Sequence, residues 1–108
     1  MDPSRLLDHP EAVGRLEASV HGRVQGVGFR VFVANRAAAM GLTGWVRNGE
    51  AGTVECVAEG PRPDLEALLA ALELGPAGAR VERVDRTWSA ASGSLGRFEI
   101  RSGWTSGD

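Results

Sequence analysis

The 108-residue sequence predicts an α+β domain in which two strand–helix–strand runs share one sheet. Three patterns carry that expectation. Leu16, Ala18 and Val20 alternate with Glu17, Ser19 and His21, the period of a half-buried strand. Phe29, Val33, Ala37 and Met40, and later Leu65, Leu68, Leu69 and Leu72, recur at helical spacing. Asn48-Gly49 separates two β-rich runs. A hydrophobic content of 43% with 24% charged residues is ordinary for a globular chain, and the length allows a single core.

Residues 1–14 hold two prolines among scattered polar groups and read as an extension outside the core fold. The first strand runs through residues 16–21 into a glycine-rich turn. A helix follows from Phe29 for about three turns and stops at Gly41, a residue suited to the positive φ of a helix terminus. Residues 42–47 and 53–59 form two strands about Asn48-Gly49-Glu50-Ala51-Gly52, where the Asn-Gly pair marks a tight hairpin. Pro61 and Pro63 open a second helix whose leucine stripe is core, and Gly75-Pro76 closes it. A strand lies within residues 81–89, Ser92-Gly93-Ser94 turns the chain, and a last strand through Arg97-Phe98-Glu99-Ile100-Arg101 pairs back into the sheet. With right-handed crossovers both helices pack on one face and leave the other to solvent. The expected architecture is therefore ferredoxin-like, βαββαβ, with a four-stranded antiparallel sheet. The domain is expected over residues 15–102, with 103–108, including Trp104, as a tail. In this topology the first and second strands end near one another, which brings Asn48 close to the glycine turn.

Composition narrows the function. A net charge of −2 and a pI near 5.7, with carboxylates mixed through the chain, argue against a general nucleic-acid binder. No apolar run approaches the roughly 20 residues needed to span a bilayer. Asp2, Asp8 and Glu11 do not suit a signal peptide, so a cytoplasmic location away from membranes is expected. Cys56 is the single cysteine, so no internal disulfide forms, and with only His9 and His21 there is no zinc spacing; no metal or cofactor is expected. Cys56 alternates in phase with Val54 and Ala58 and reads as a small buried hydrophobe, while His21 lies on the polar strand face.

The most informative stretch is Gly22-Arg23-Val24-Gln25-Gly26-Val27-Gly28-Phe29-Arg30. Glycines permit positive φ and leave no Cβ in the way, so successive N–H groups can turn inward as a concave nest beside the open N–H groups of a helix start. Phosphate is the usual guest of that geometry, and Arg30 adds a permanent cation with a planar fork of donors. Spacing alone equally fits a plain strand-to-helix connection. A P-loop is excluded because the chain has no lysine, and the dinucleotide fingerprint fails at Val31, where its third glycine belongs. Asn48, taken by itself, also fits a turn residue valued for tolerating the left-handed conformation.

Together, Val20-x-Gly22-x-Val24-Gln25-Gly26-Val27-x-Phe29-Arg30 and Gly44-Trp45-Val46-Arg47-Asn48-x-x-x-Gly52-x-Val54-x-x-x-x-x-Gly60 resemble the two motifs of the acylphosphatase family. The resemblance spans Leu16 to Arg101. It implies the βαββαβ fold and an acylphosphate phosphohydrolase. Arg30 matches the family's phosphate-binding arginine, Asn48 its water-orienting asparagine, and Arg23, Val24, Gln25, Gly26, Val27, Gly28 and Phe29 its phosphate loop. The implied substrate is a small-molecule acyl phosphate, for which inorganic phosphate or sulfate would compete. A monomer is the expectation for a compact domain of this size, and with nothing lining an obvious acyl pocket the acyl part is expected to be read loosely.

The chemistry suits so small a set of groups. The leaving group is a carboxylate with a pKa of about 4.3, so its departure needs no proton from the protein. Transfer through a loose transition state asks for positioning and for donors around the equatorial oxygens. A carboxamide can orient water without titrating. Two other readings are a non-hydrolytic domain that binds acyl phosphate or carbamoyl phosphate for delivery to a partner, and an RNA-recognition domain. The first is disfavoured by a chain that holds one domain. The second requires aromatic residues on central strands of the open face, and the chain has three Phe, three Trp and no Tyr.

Overall fold

The computed structural model describes residues 13–102; the expectations for the extension before Val13 and for the tail from Gly103, Trp104 included, lie outside the described residues. The elements are β1 (Val13–Arg23), α1 (Phe29–Ala39), β2 (Thr43–Asn48), β3 (Val54–Pro61), α2 (Arg62–Leu74), β4 (Arg80–Ala90) and β5 (Glu99–Ile100). They form one sheet in the order β4-β1-β3-β2-β5. β3 runs antiparallel to both β1 and β2, and β4 is antiparallel to β1.

The sheet therefore has five strands and is mixed, a correction to the expected four-stranded antiparallel one. β4 occupies the free edge of β1, so the last segment finds open backbone only beside β2. It arrives there after reversing direction from β4 and must run parallel to β2, pairing Trp45 with Glu99 and Val46 with Ile100. Parallel pairing here is short, two residues in place of the expected five-residue strand.

Alternation decides the faces. Leu16, Ala18 and Val20 of β1, Val46 of β2, Val54, Cys56 and Ala58 of β3 and Val84 of β4 are buried together with Phe29, Val33 and Ala37 of α1 and Leu65, Leu68, Leu69 and Leu72 of α2. Each fully buried leucine contributes about 1.5–3 kcal/mol relative to exposure, so the α2 stripe is what holds that helix on the sheet. On the other face Arg15 bonds Glu17 and Glu59, His21 Nε2 lies 3.0 Å from Asp85 Oδ2, and Trp45 sits beneath the guanidiniums of both Arg47 and Arg101. A shallow groove of about 430 Å³ runs over that polar face. Trp88, by contrast, packs against the core, with the Arg62 guanidinium 3.6 Å from its ring centroid.

The hairpin between β2 and β3 differs from the expected tight Asn-Gly turn. Among the described residues no non-glycine residue has positive φ, and neither Asn48 nor Gly49 is left-handed; the chain reverses at Gly52, with φ +86°. Five residues separate the Asn48–Val54 pair, closed by Gly49 N–H to the Thr53 carbonyl at 2.8 Å. Asn48 is thus the last extended residue of β2, and left-handed tolerance does not account for it.

At the far end of β3, Glu59 is 4% exposed. Its carboxylate accepts hydrogen bonds from Arg15 Nη1, the Ser92 N–H and hydroxyl, and the Gly93 N–H at 2.9–3.0 Å, fastening the segment that crosses from β4 toward β5. Burial pushes this carboxyl up, but the bonds from Ser92, Arg15 and Gly93 outweigh burial and hold it at about 2, below the ordinary 4.5. A depressed folded pKa contributes stability that is complete above the unfolded value and is lost as pH falls through the folded one. We expect about 3 kcal/mol of stability to disappear between about pH 5 and pH 2 from this group. Urea unfolding curves collected across that range should show the loss in the native chain and a much flatter dependence in Glu59→Gln.

Candidate active site

β1 delivers its last pairs into a loop whose side chains and backbone face different ways. Val24 and Phe29 are buried, 1% and 2% exposed, and Val27 packs against the core, so three apolar anchors pin the loop from beneath. Between them Gly26 and Gly28 take φ +75° and +78°, while the non-glycine neighbours keep negative φ. This alternation of sign turns successive N–H groups toward one side, the condition for a nest. An added Cβ at either glycine would meet nothing within 4 Å, so glycine is needed there for backbone conformation and not to relieve crowding.

The start of α1 has an unusual charge arrangement. Its N-cap is Gly28, which offers no side chain to the first N–H groups, and no acidic residue lies in the first turn. Arg30 stands in that turn, where the helix dipole disfavours a cation by about 0.3–1 kcal/mol. α2 is built the opposite way, with Pro63 at its start and Asp64 in its first turn. No carboxylate occurs in the sequence from Ala18 to Gly49. Arg23, exposed at the end of β1, also lies directly across from Arg80 of β4, a like-charged pair that sheet pairing alone disfavours. An anion seated on the loop would favour all three arrangements.

Sheet register brings the second motif to the same end. Val54 pairs with Val20 on one side and with Asn48 on the other, so Val20, Val54 and Asn48 form one row across β1, β3 and β2. Two strand spacings, about 10 Å, separate the outer two. β1 and β2 point the same way, and the loop after one opens beside the turn after the other. Asn48 is 5% exposed and engaged with its surroundings. The Gln25 carboxamide crosses the gap, donating from Nε2 to the carbonyls of Gly49 at 3.1 Å and Thr53 at 2.9 Å.

Of the residues singled out in the sequence, Arg23, Val24, Gln25, Gly26, Val27, Gly28, Phe29 and Arg30 form one continuous loop and helix start, with Asn48 beside it. Val24 and Phe29 can offer a ligand only their backbone, since their side chains are buried. Three features were not read from the sequence. Thr53 is buried and its hydroxyl donates to Glu55 Oε2, which also accepts from Ser19 Oγ at 2.8 Å. Gly49 must be glycine because a Cβ there would run into the Thr53 hydroxyl. The Gln25 side chain acts across the loop. A Thr before β-branched Val54 looks like any strand residue, and only the hairpin's closure shows these roles.

Cys56 is buried in the core and burial pushes its thiol up to about 12, so it is a packing residue and no nucleophile. His21 lies on the polar face with Asp85 and Arg83. Among the described residues no group of three or more His, Cys, Asp or Glu is arranged to hold a metal ion, and no helix is long and apolar enough to cross a membrane.

Comparison with known proteins agrees with this geometry. The acylphosphatase family model matches residues 16–100. An acylphosphatase of Salinibacter ruber is 49% identical over 87 residues, covering 81% of this chain and 92% of that one. The crystal structure of acylphosphatase from Bacillus subtilis superposes with a TM-score of 0.78 at 39% identity, covering 82% of this chain and 98% of that one. Full-length HypF, solved in a phosphate- and nucleotide-bound form, matches with a TM-score of 0.77 at 26% identity, over 89% of this chain but only 13% of its own. A family match over nearly the whole described domain, with both motifs at one end of the sheet, establishes that the chain belongs to the acylphosphatase family.

Proposed function

We propose that this acylphosphatase cleaves the carboxyl–phosphate bond by direct in-line attack of a water oriented by Asn48, with the phosphoryl group held by Arg30 and the main chain of residues 23–29. The observation that carries the reading is the juxtaposition of a glycine-shaped loop carrying Arg23 and Arg30 with the Asn48 turn, joined through Gln25. The N–H groups and the guanidinium surround the three equatorial oxygens of the phosphoryl group. The water oxygen forms its bond to phosphorus opposite the departing carboxylate, the P–O bond to the acyl oxygen breaks with its electron pair leaving on the carboxylate, and the water's proton passes to solvent or phosphate. A carboxylate leaves without protonation, so no general acid is required. The transition state gains charge on oxygens that preorganised donors already face, and a single such donor is worth about 10²–10³ in rate.

The same reading makes the enzyme metal-independent, monomeric and cytoplasmic, with inorganic phosphate or sulfate competing for the cradle. A second reading is a module that binds acyl phosphate or carbamoyl phosphate without hydrolysing it; the match to 13% of HypF, a chain solved with phosphate and nucleotide, supports only that a domain of this kind also occurs within a larger protein. Coverage of nearly the full length of an acylphosphatase supports the hydrolase. Phosphate release from benzoyl phosphate, run beside phenyl phosphate, tests the choice: steady turnover of the anhydride but not of the ester is expected, unchanged by a chelator. Stoichiometric binding without release would favour the carrier.

Variants divide the labour. Arg30→Ala should lower kcat by about 10²–10³ and weaken phosphate competition together. Asn48→Ala should lower kcat by a similar factor while phosphate still competes within about threefold of native. Equal losses of phosphate affinity in both would contradict the assignment. Arg30→Lys should recover little, because an ammonium cannot reproduce the two-pronged grip.

A further inference from the structure

We propose that the Gln25 side chain is a positioning residue that locks the anion loop to the Asn48 turn, so that the water aimed by Asn48 is registered against the phosphorus of a substrate held by the loop. The inference rests on the hydrolytic reading above and adds to it a role for a side chain whose backbone alone was assigned.

Gln25 stands in the middle of the loop, half-buried, and its Nε2 donates to Gly49 O at 3.1 Å and Thr53 O at 2.9 Å. These carbonyls belong to the first and last residues of the hairpin loop, and Gly49 is the residue after Asn48. The Thr53 carbonyl also accepts the Gly49 N–H at 2.8 Å, so one oxygen gathers both ends of the hairpin loop and the Gln25 strut. Behind it, the Thr53 hydroxyl donates to Glu55, and Glu55 accepts from Ser19 Oγ of β1 at 2.8 Å. The contacts close a ring: β1 leads into the loop, Gln25 spans to the hairpin, and the hairpin returns through Thr53 and Glu55 to β1.

Glutamine is the side chain that fits. Two acceptors face it, and a carboxamide brings two N–H donors on one nitrogen. Glutamate would present a charged acceptor to two carbonyls and add a negative charge beside the anion. Asparagine would fall short by one methylene. In-line attack is sensitive to placement, and an error of about 1 Å between nucleophile and reacting atom costs on the order of 10²-fold.

Gln25→Met keeps the length and removes both donors. With benzoyl phosphate as substrate, its kcat should fall roughly ten- to hundredfold while KM and the inhibition constant of inorganic phosphate move by less than about threefold. Introduced into Asn48→Ala, the same substitution should cost less than about twofold more, because the group it serves is already gone. A native kcat in Gln25→Met, a matching loss of phosphate affinity, or an undiminished further loss in the Asn48→Ala background would each overturn the proposal. Failure of the hydrolytic reading looks different: the native chain would then bind benzoyl phosphate without releasing phosphate, whereas failure of the Asn48 assignment alone would leave Asn48→Ala with native turnover. Gln25→Glu gives an independent check that does not depend on the methionine variant folding. A protonated carboxyl regains one donor, so its kcat relative to native should recover as pH falls toward about 4.5, and a pH-independent ratio would sink the idea.

Discussion

β3 is the constraint on which the rest depends. It lies between β1 and β2 and runs against both, so those two strands must point the same way and end at the same edge. Val54, paired with Val20 on one side and Asn48 on the other, sets the offset between them. A one-residue slip of either strand would turn every side chain to the other face and take Asn48 away from the loop. The slip is prevented by the core: Leu16, Ala18 and Val20, Val46, and Val54, Cys56 and Ala58 all face the helices, and moving any strand by one would bury charged residues in their place. Hydrophobic burial thereby fixes the relative position of two polar motifs that are separated by about two strand spacings.

The loop after β1 is locally unfavourable for folding. Buried Val24 and Phe29 hold it down, while the positive-φ glycines, the uncapped helix start and an arginine in the first turn are each unfavourable or neutral for folding alone. This local conflict is concentrated at one place, whereas α2 starts with a proline and carries Asp64 in its first turn. The opposite end of the sheet is built for stability: Glu59 is fully satisfied by Arg15, Ser92 and Gly93, and it ties the crossing segment to the sheet. Function and fastening are therefore separated along the strands.

Much of this was legible in the residues. Period-two alternation located β1, helical stripes located α1 and α2, and proline and glycine marked their ends to within a residue or two. The glycine-rich loop, Arg30 and Asn48 were readable because their pattern conflicts with ordinary structure and because two motifs occur at a family spacing. The sheet was less so. A short final strand carries almost no periodic signal, and whether Glu99-Ile100 joined the β1 edge or the β2 edge depended on where β4 had gone. The Asn48-Gly49 turn misled because that dipeptide usually takes left-handed geometry, whereas here Gly52 carries the reversal and Gly49 is held small by the Thr53 hydroxyl.

What the chain's own order of residues determined is local: which segments extend, which coil, which face of each is apolar, and that one loop can present main-chain donors with a guanidinium beside it. Those properties follow from side-chain chemistry acting over a few neighbours. Tertiary structure decided what is close to what. The mixed five-stranded sheet, the row through Val20, Val54 and Asn48, and the reach of Gln25 to Gly49 and Thr53 join residues more than twenty positions apart. Such contacts exist only after the core has chosen one register for all strands at once, because no local preference in either segment specifies the distance between them.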